Sequence, residues 1–161
     1  MPIVKHAIVC CILLFAFVST SAQRGATAKR WTFQQYPAAI DFTGKPARPI
    51  LDTPLEHVYR TQVRKGPNFA GHFTIAKWGC GAPCVKFVII DVRSGTIYDP
   101  GLTVGCSDKN GGDASVQFKL TSRLIVTTGF SEKFGCGTDF YEWNGKQLIL
   151  LHYEPLPDSD S

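Results

Sequence analysis

Residues 68–91 read NFAGHFTIAKWGCGAPCVKFVIID, and this stretch decides the fold. From Gly71 to Trp78 the side chains alternate as expected of a half-buried β-strand. Phe73 and Ile75 fall on one face of this strand. The other face takes the remaining side chains, which are His72, Thr74, Ala76 and Trp78. The pattern therefore predicts a strand with two different faces.

A tight knuckle follows this strand and leads into a second one. The knuckle, residues 79–84, contains two glycines that can adopt positive φ and a proline that prevents a helix. Residues 85–92 (VKFVIIDV) are almost all apolar and β-branched, so both faces of that strand must be covered. We therefore expect residues 85–92 to form the central strand of the domain.

Turn-forming residues recur about every ten residues along the rest of the chain. The alternation from His57 to Val63 predicts another strand, and residues 116–128 predict a hairpin. Asn144-Gly145 is typical of a type I′ turn in a hairpin that spans residues 138–153. No segment beyond the N-terminal region has a convincing helical pattern. The predicted fold is all-β: an antiparallel, disulfide-stapled meander that forms a curled sheet, a small barrel or a partial propeller-like sheet.

The N-terminus has the three parts of a secretory signal peptide. Lys5 precedes an apolar run from Ala7 to Val18, and small residues lead to a predicted cleavage site after Ala22. The run is shorter than the ~20 residues that span a bilayer, so we expect no permanent membrane span after cleavage. The predicted organisation is a signal peptide (1–22), an extended and partly disordered lead-in (23–56), a single β domain (57–154) and an acidic tail (155–161). The expected location is secreted or periplasmic.

Four cysteines remain after cleavage, and an even number in an exported protein favours disulfides. Proximity favours a Cys80–Cys84 bond, and Cys106–Cys136 then follows. One alternative is four thiolates on a zinc ion, and another is a redox-active Cys80–Cys84 pair. A thioredoxin-like motif has two residues between its cysteines and begins a helix, whereas here three residues intervene and a strand follows. We therefore favour structural disulfides and predict neither a metal nor a cofactor.

Charge is unevenly distributed along the chain. Residues 24–93 carry 11 basic and 4 acidic side chains, whereas residues 94–161 carry 5 basic and 9 acidic ones. The interpretation that we favour is neighbouring strands whose opposite charges meet across a sheet. The alternative is a basic face for an anionic partner, such as a surface polymer or a lipid head group. Clustered runs of Lys and Arg, which mark nucleic-acid binding, are missing from the sequence.

His72 is the candidate catalytic residue, because an imidazole can act as a general base or a metal ligand. The candidate ligand-binding residues are Asn68, His72 and Trp78, which lie on or beside one strand. The interpretation that we favour is a structural histidine bonded to a backbone carbonyl. No Ser or Cys nucleophile with an Asp partner can be placed beside His72 from the sequence, so a hydrolytic triad is not predicted.

The acidic residues suggest two further sites, neither of which has the required spacing. Residues 108–113 (DKNGGD) have the oxygen density of a calcium loop but not the EF-hand spacing, so they predict a plain turn. Glu132, Asp139 and Glu142 have the chemistry of paired carboxylates in sugar hydrolysis. Strand alternation puts Asp139 and Glu142 on opposite faces, so we expect all three to be surface charges.

Four segments together resemble a group of small exported bacterial proteins of unknown function. The segments are residues 59–61 (YRT), 66–73 (GPNFAGHF), 78–84 (WGCGAPC) and 91–98 (DVRSGTIY). Members of the group share NFAGH(Y/F), WGCGxxC and a DxxTGxxY-like hairpin in the same order. This chain departs from the group by Phe73 in place of Tyr, by Ser94 in place of Thr, and by the extra cysteines Cys106 and Cys136. The resemblance implies export and a shared fold but no reaction.

The sequence thus predicts a non-catalytic binding or accessory module at the cell envelope. The alternative is an envelope enzyme, hydrolytic or thiol-redox, that uses His72 and the Cys80/Cys84 knuckle. The expected partner is an envelope or extracellular protein or polysaccharide, and not a nucleic acid.

Overall fold

The computed structural model describes residues 31–49, 53–105, 114–131 and 134–156. The predicted signal peptide, the turn at residues 108–113, Cys106 and Glu132 lie outside the described residues. Of the two units into which the chain divides, the one that begins at Trp31 contains all of the described residues. Within them, no helix is both long and apolar enough to cross a bilayer.

The fold is all-β and antiparallel, as the sequence predicts. The described strands are β1 (Phe73–Gly79), β2 (Cys84–Asp91), β3 (Ile97–Tyr98), β4 (Thr103–Gly105), β5 (Ser115–Phe118), β6 (Leu124–Ser131), β7 (Gly135–Trp143) and β8 (Leu148–Pro155). They form two four-stranded sheets. In the first sheet β2 pairs with β1 on one side and with β3 and β4 on the other, and the second sheet has the order β5-β6-β7-β8. Neither sheet closes on itself, so the fold is not a barrel.

Strand β2 is the central strand of the first sheet, and both of its faces are buried as expected. Phe87 and Ile89 point into a core between the two sheets, the inter-sheet core. Val88 and Ile90 point the opposite way, into a smaller helix-side core. All four side chains are at most 1% exposed. The alternation predicted for β1 is also confirmed, because Phe73 and Ile75 enter the inter-sheet core and Ala76 enters the helix-side core.

Residues 57–63 are helical, so the predicted strand there is wrong, and so is the expectation that the chain contains no helix. Helix α1 spans Glu56–Arg64. The apolar residues Leu55, Tyr59 and Val63 recur every fourth position, which forms one stripe on a helix, and this stripe packs on the helix-side core. Glu56 forms an ion pair with Arg60 one turn later, a spacing that only a helix brings together. A seven-residue alternation is therefore compatible with either a strand or a helix. The surface against which the segment packs decides which of the two forms.

The lead-in is extended where it is described, and residues 31–38 of it pack against the second sheet. The Arg123 N–H donates to the Tyr36 carbonyl at 2.8 Å, and the Ala38 N–H donates to the Thr121 carbonyl at 2.9 Å. The Trp31 ring stacks on His152, with 5.5 Å between ring centroids. A 3₁₀ turn, Phe33–Gln35, bends the chain between these contacts.

The two predicted hairpins form, but the turn type predicted for the second one is wrong. Strands β5 and β6 pair from Ser115–Thr128 to Phe118–Ile125, which confirms the hairpin at residues 116–128. Strands β7 and β8 pair up to Trp143–Leu148, so four residues form the loop. Asn144 is not in the left-handed region that a type I′ turn requires. Its side-chain oxygen instead accepts the Lys146 and Gln147 N–H groups, both at 2.9 Å, and this bonding closes the loop.

Cys80 and Cys84 form the predicted disulfide, with their Cα atoms 5.1 Å apart. These two sulfurs are bonded to each other, which removes them from the four-thiolate zinc alternative. Cys136 is also disulfide-bonded. Since Cys106 lies outside the described residues, the Cys106–Cys136 pairing stays a prediction. The Ala82–Pro83 peptide bond inside the knuckle is cis.

Candidate functional site: a basic groove beside helix α1

Helix α1 forms the first wall of the groove. Tyr59 and Val63 are 6% and 3% exposed, and they pack on Ala76, Val88 and Ile90 of the sheet beneath. The Tyr59 ring also meets Trp78, with 5.7 Å between centroids. This packing fixes the rotation of the helix, so the polar side of its last turns is held beside the sheet.

Residues 45–49 form the second wall, and they are held by the turn that follows β2. The Ala47 N–H donates to the Val92 carbonyl at 2.7 Å. At Gly95 φ is +78°, and a Cβ there would lie 2.9 Å from the Arg48 carbonyl oxygen. A residue without a side chain therefore lets residues 45–49 run close against the turn.

Between these walls lies a groove of about 450 Å³. Its lining combines cationic and apolar side chains: Lys45, Arg48, Arg60 and Arg64 on one hand, and Pro46, Ala47, Pro49 and Val63 on the other. In the part of the chain that the structure describes, no carboxylate lines it. A groove of this size and lining suits an anionic group attached to an apolar body.

The cations in the groove repel one another and have little counter-charge among the residues that the structure describes. Burial and, after it, the repulsion from Arg48 and Arg64 lower the pKa of Arg60. Arg60 pairs with Glu56, yet its Nε–H is buried without a partner among the described residues. Within the same residues, Lys45, Arg48 and Arg64 form no ion pair. Counting Glu56, four cations and one carboxylate give the described part of the groove a formal charge of +3.

His72 lies between the Asp41 carboxylate and the core. The predicted hydrogen bond to a backbone carbonyl is not found in the described part of the chain, because Asp41 takes that place. Its Nδ1 lies 2.6 Å from Asp41 Oδ1, and Arg93 donates to the other oxygen of Asp41 at 3.2 Å. The hydrogen bond with His72 is the main reason why the pKa of Asp41 is lowered. The second ring nitrogen, Nε2, is buried with no partner among the described residues. His72 therefore has no nitrogen directed at solvent with which to meet a substrate.

The three predicted ligand-binding residues do not converge. The Asn68 side chain binds the backbone of Ile75 twice, since its oxygen accepts at 2.8 Å and its amide donates at 3.2 Å. His72 precedes β1 and Trp78 lies near its end, so the strand separates them by roughly 20 Å. Asn68 and Trp78 have structural contacts in this fold, and His72 is held by Asp41.

Asp139 is buried, which corrects its assignment as a surface charge. It lies on the inward face of β7 with Tyr141 and Trp143 and is only 6% exposed. Burial raises its pKa, and a hydrogen bond from Tyr141 partly opposes this effect. Burial and the neighbouring carboxylate raise the pKa of Tyr141 to about 12. The predicted alternation holds, since Glu142 faces the other way and pairs with Arg123 at 2.9 Å.

Within the described ranges, no cluster of three or more His, Cys, Asp or Glu side chains is arranged to hold a metal ion. Comparison with known proteins finds no family model, no curated protein and no solved structure that matches this chain.

Proposed function

We propose that the protein is an exported, non-catalytic binding module that takes an anionic partner at the cell envelope into the groove beside α1. The observation that carries this proposal is the set of four cations around one groove with a single described counter-charge. Such a set attracts anions and orients them through guanidinium forks. The proposed partner is an envelope or extracellular protein or polysaccharide that presents an acidic group.

The geometry favours this role over the two enzyme alternatives. A hydrolytic use of His72 requires an accessible nitrogen, yet Nδ1 is bonded to Asp41 and Nε2 is buried. A thiol-redox use of the knuckle requires a thiolate favoured by its surroundings, usually at a helix N-terminus. Here Cys84 begins β2, and Cys80 follows β1 directly.

Export is the part of the proposal that rests on the N-terminal sequence. We expect the protein expressed in a bacterial host to be recovered from the periplasmic or culture fraction with Gln23 as its first residue. N-terminal sequencing of each fraction measures this. Full-length protein confined to the cytosol would contradict export.

Binding in the groove is tested with dextran sulfate, a defined anionic polysaccharide, by titration calorimetry. We expect the double variant Arg48→Gln/Arg64→Gln to bind about tenfold more weakly or worse than the unmodified protein. The reason is that losing even one charge-assisted hydrogen bond costs about 1.5–3 kcal/mol, which is a factor of ten or more in affinity. The affinity should also fall as salt rises from about 50 to 200 mM, because the interaction is electrostatic.

The matched control removes the same charge elsewhere. Lys86 and Lys146 are exposed and lie outside the groove. Lys86→Gln/Lys146→Gln should keep its affinity within about twofold, because neither lysine lines the groove and both charges are exposed to the screening of solvent and salt. Equal weakening of both double variants would show a diffuse charge effect, and failure of the unmodified protein to bind at low salt would refute the proposal.

A further inference from the structure

We propose that the group bound in this groove is a phosphate monoester attached to a small apolar body. This inference rests on the proposed function, which makes the groove the binding site. It goes further by naming the chemistry of the bound group.

The charge and donor geometry of the groove match a phosphate monoester better than a carboxylate. Three guanidinium groups and one ammonium face the same space. A carboxylate offers two oxygens and one charge, whereas a phosphate monoester offers three oxygens and a charge of about −1.5 to −2 at neutral pH. Guanidinium groups bind such oxygens in pairs, so several of them can bind one phosphate at once.

The repulsion among the cations supports the same assignment. Arg48 and Arg64 both repel Arg60, whose one ion-pair partner among the described residues is Glu56. A dianion bound between these side chains would offset the repulsion. Within the described part of the chain, the groove thus carries an excess of positive charge.

The size of the groove shows that phosphate alone does not fill it. A volume of about 450 Å³ lies within the range of small-molecule pockets. The apolar side chains of Pro46, Pro49 and Val63 supply a surface that a phosphate ion cannot use. We therefore assign this surface to an apolar part of the ligand next to the ester oxygen.

The test compares phenyl phosphate, phenyl sulfate and inorganic phosphate by titration calorimetry on the purified protein at about pH 8, where the phosphate monoester is a dianion. We expect phenyl phosphate to bind at least about tenfold more tightly than phenyl sulfate, which has the same ring but one charge. It should bind about threefold to tenfold more tightly than inorganic phosphate, because its ring covers the apolar wall. Lowering the pH to about 5 should weaken phenyl phosphate, since the ester gains a proton near pH 6.

Single variants locate the effect. Arg64→Gln should remove most of the preference for phenyl phosphate over phenyl sulfate, and Lys146→Gln should leave it unchanged. Circular dichroism verifies that each variant is folded. Equal affinity for the two esters, or a preference that survives Arg64→Gln, would overturn the phosphate assignment.

Two sources of the monoester are separated by a vesicle experiment. Phosphatidic acid in phosphatidylcholine vesicles presents the same group on a lipid. Binding to these vesicles that Arg64→Gln abolishes would identify a lipid head group, whereas binding to phenyl phosphate alone would identify a monoester on a partner that is not a lipid. If dextran sulfate binds in the groove but no monoester does, the phosphate assignment fails and the proposed function stands. If neither binds, both fail.

Discussion

Replacing Gly71 by alanine is expected to lower the free energy of unfolding by about 2–5 kcal/mol, as the sum of a backbone penalty and a steric one. Gly71 has a φ of +83°, a conformation that costs an L-residue about 1–2 kcal/mol. A Cβ at this position would also overlap the Ala39 carbonyl oxygen and lie 3.3 Å from Asp41 Oδ1. The variant would therefore displace residues 39–41 and with them the bond between Asp41 and His72. Urea unfolding measures the loss.

Gly66 provides a control that separates the two penalties. Its φ is +87°, close to that of Gly71, but a Cβ there would meet nothing within 4 Å. Gly66→Ala should therefore cost only the backbone term of about 1–2 kcal/mol. The difference between the variants measures how closely residues 39–41 approach the strand. Equal costs for Gly66→Ala and Gly71→Ala would show that this approach is not constrained by Gly71.

Asp139→Asn is expected to stabilise the protein at neutral pH by about 1 kcal/mol or more, because burying a charged group costs more than burying a neutral polar group of the same shape. One carboxylate oxygen of Asp139, Oδ1, is buried without a partner among the described residues. Asparagine has nearly the same shape and no charge, so it removes the cost of burying an ionised group. Chemical unfolding at pH 7 measures the difference between the two proteins.

The pH dependence of this difference has a definite sign. Burial raises the pKa of Asp139 in the folded state above its ordinary value of 3.8. The folded protein therefore binds the proton more tightly, and its stability falls as the pH rises from 3.8 through the folded pKa. Asp41 acts in the opposite sense, because its lowered pKa gives stability that is lost as the pH falls below 3.8.

The advantage of Asp139→Asn should therefore grow with rising pH and disappear in acid. Glu154→Gln is the control, since Glu154 is an exposed carboxylate on the neighbouring strand β8. That variant should change stability by less than about 0.5 kcal/mol at every pH. An Asp139→Asn protein that is less stable than the original at pH 7 would show that the carboxylate makes a net favourable contact.

The strands were predictable because their information is local. Alternation assigned Phe73 and Ile75 to one face, and the continuous apolar run at residues 85–92 required a strand covered on both sides. Helix α1 was missed because its nine residues fit either periodicity, and the surface that selects the helix is supplied by β1 and β2. A short pattern that fits both the helical and the strand period does not decide between the two structures.

The groove was not predicted because its cations come from two separate segments. Lys45 and Arg48 precede the helix, whereas Arg60 and Arg64 belong to it, and tertiary packing alone joins them. The signal that existed was the excess of basic residues in positions 24–93, which we interpreted as charge meeting across strands. The prediction for Asp139 was wrong for a different reason. Alternation correctly placed Asp139 on the face of β7 opposite to Glu142, but it did not show that this face is buried.

Strand β2 contributes to both cores through alternate residues, and this sharing constrains how the protein can diverge. A slip of one residue would exchange Phe87 and Ile89 with Val88 and Ile90, so both cores would be lost together. Substitutions in β2 are therefore restricted twice over. The groove cations Lys45, Arg48 and Arg64 have no such double duty, since their side chains are exposed and belong to neither core. The charge of the groove can thus change through substitutions at these positions while the strand beneath them stays the same.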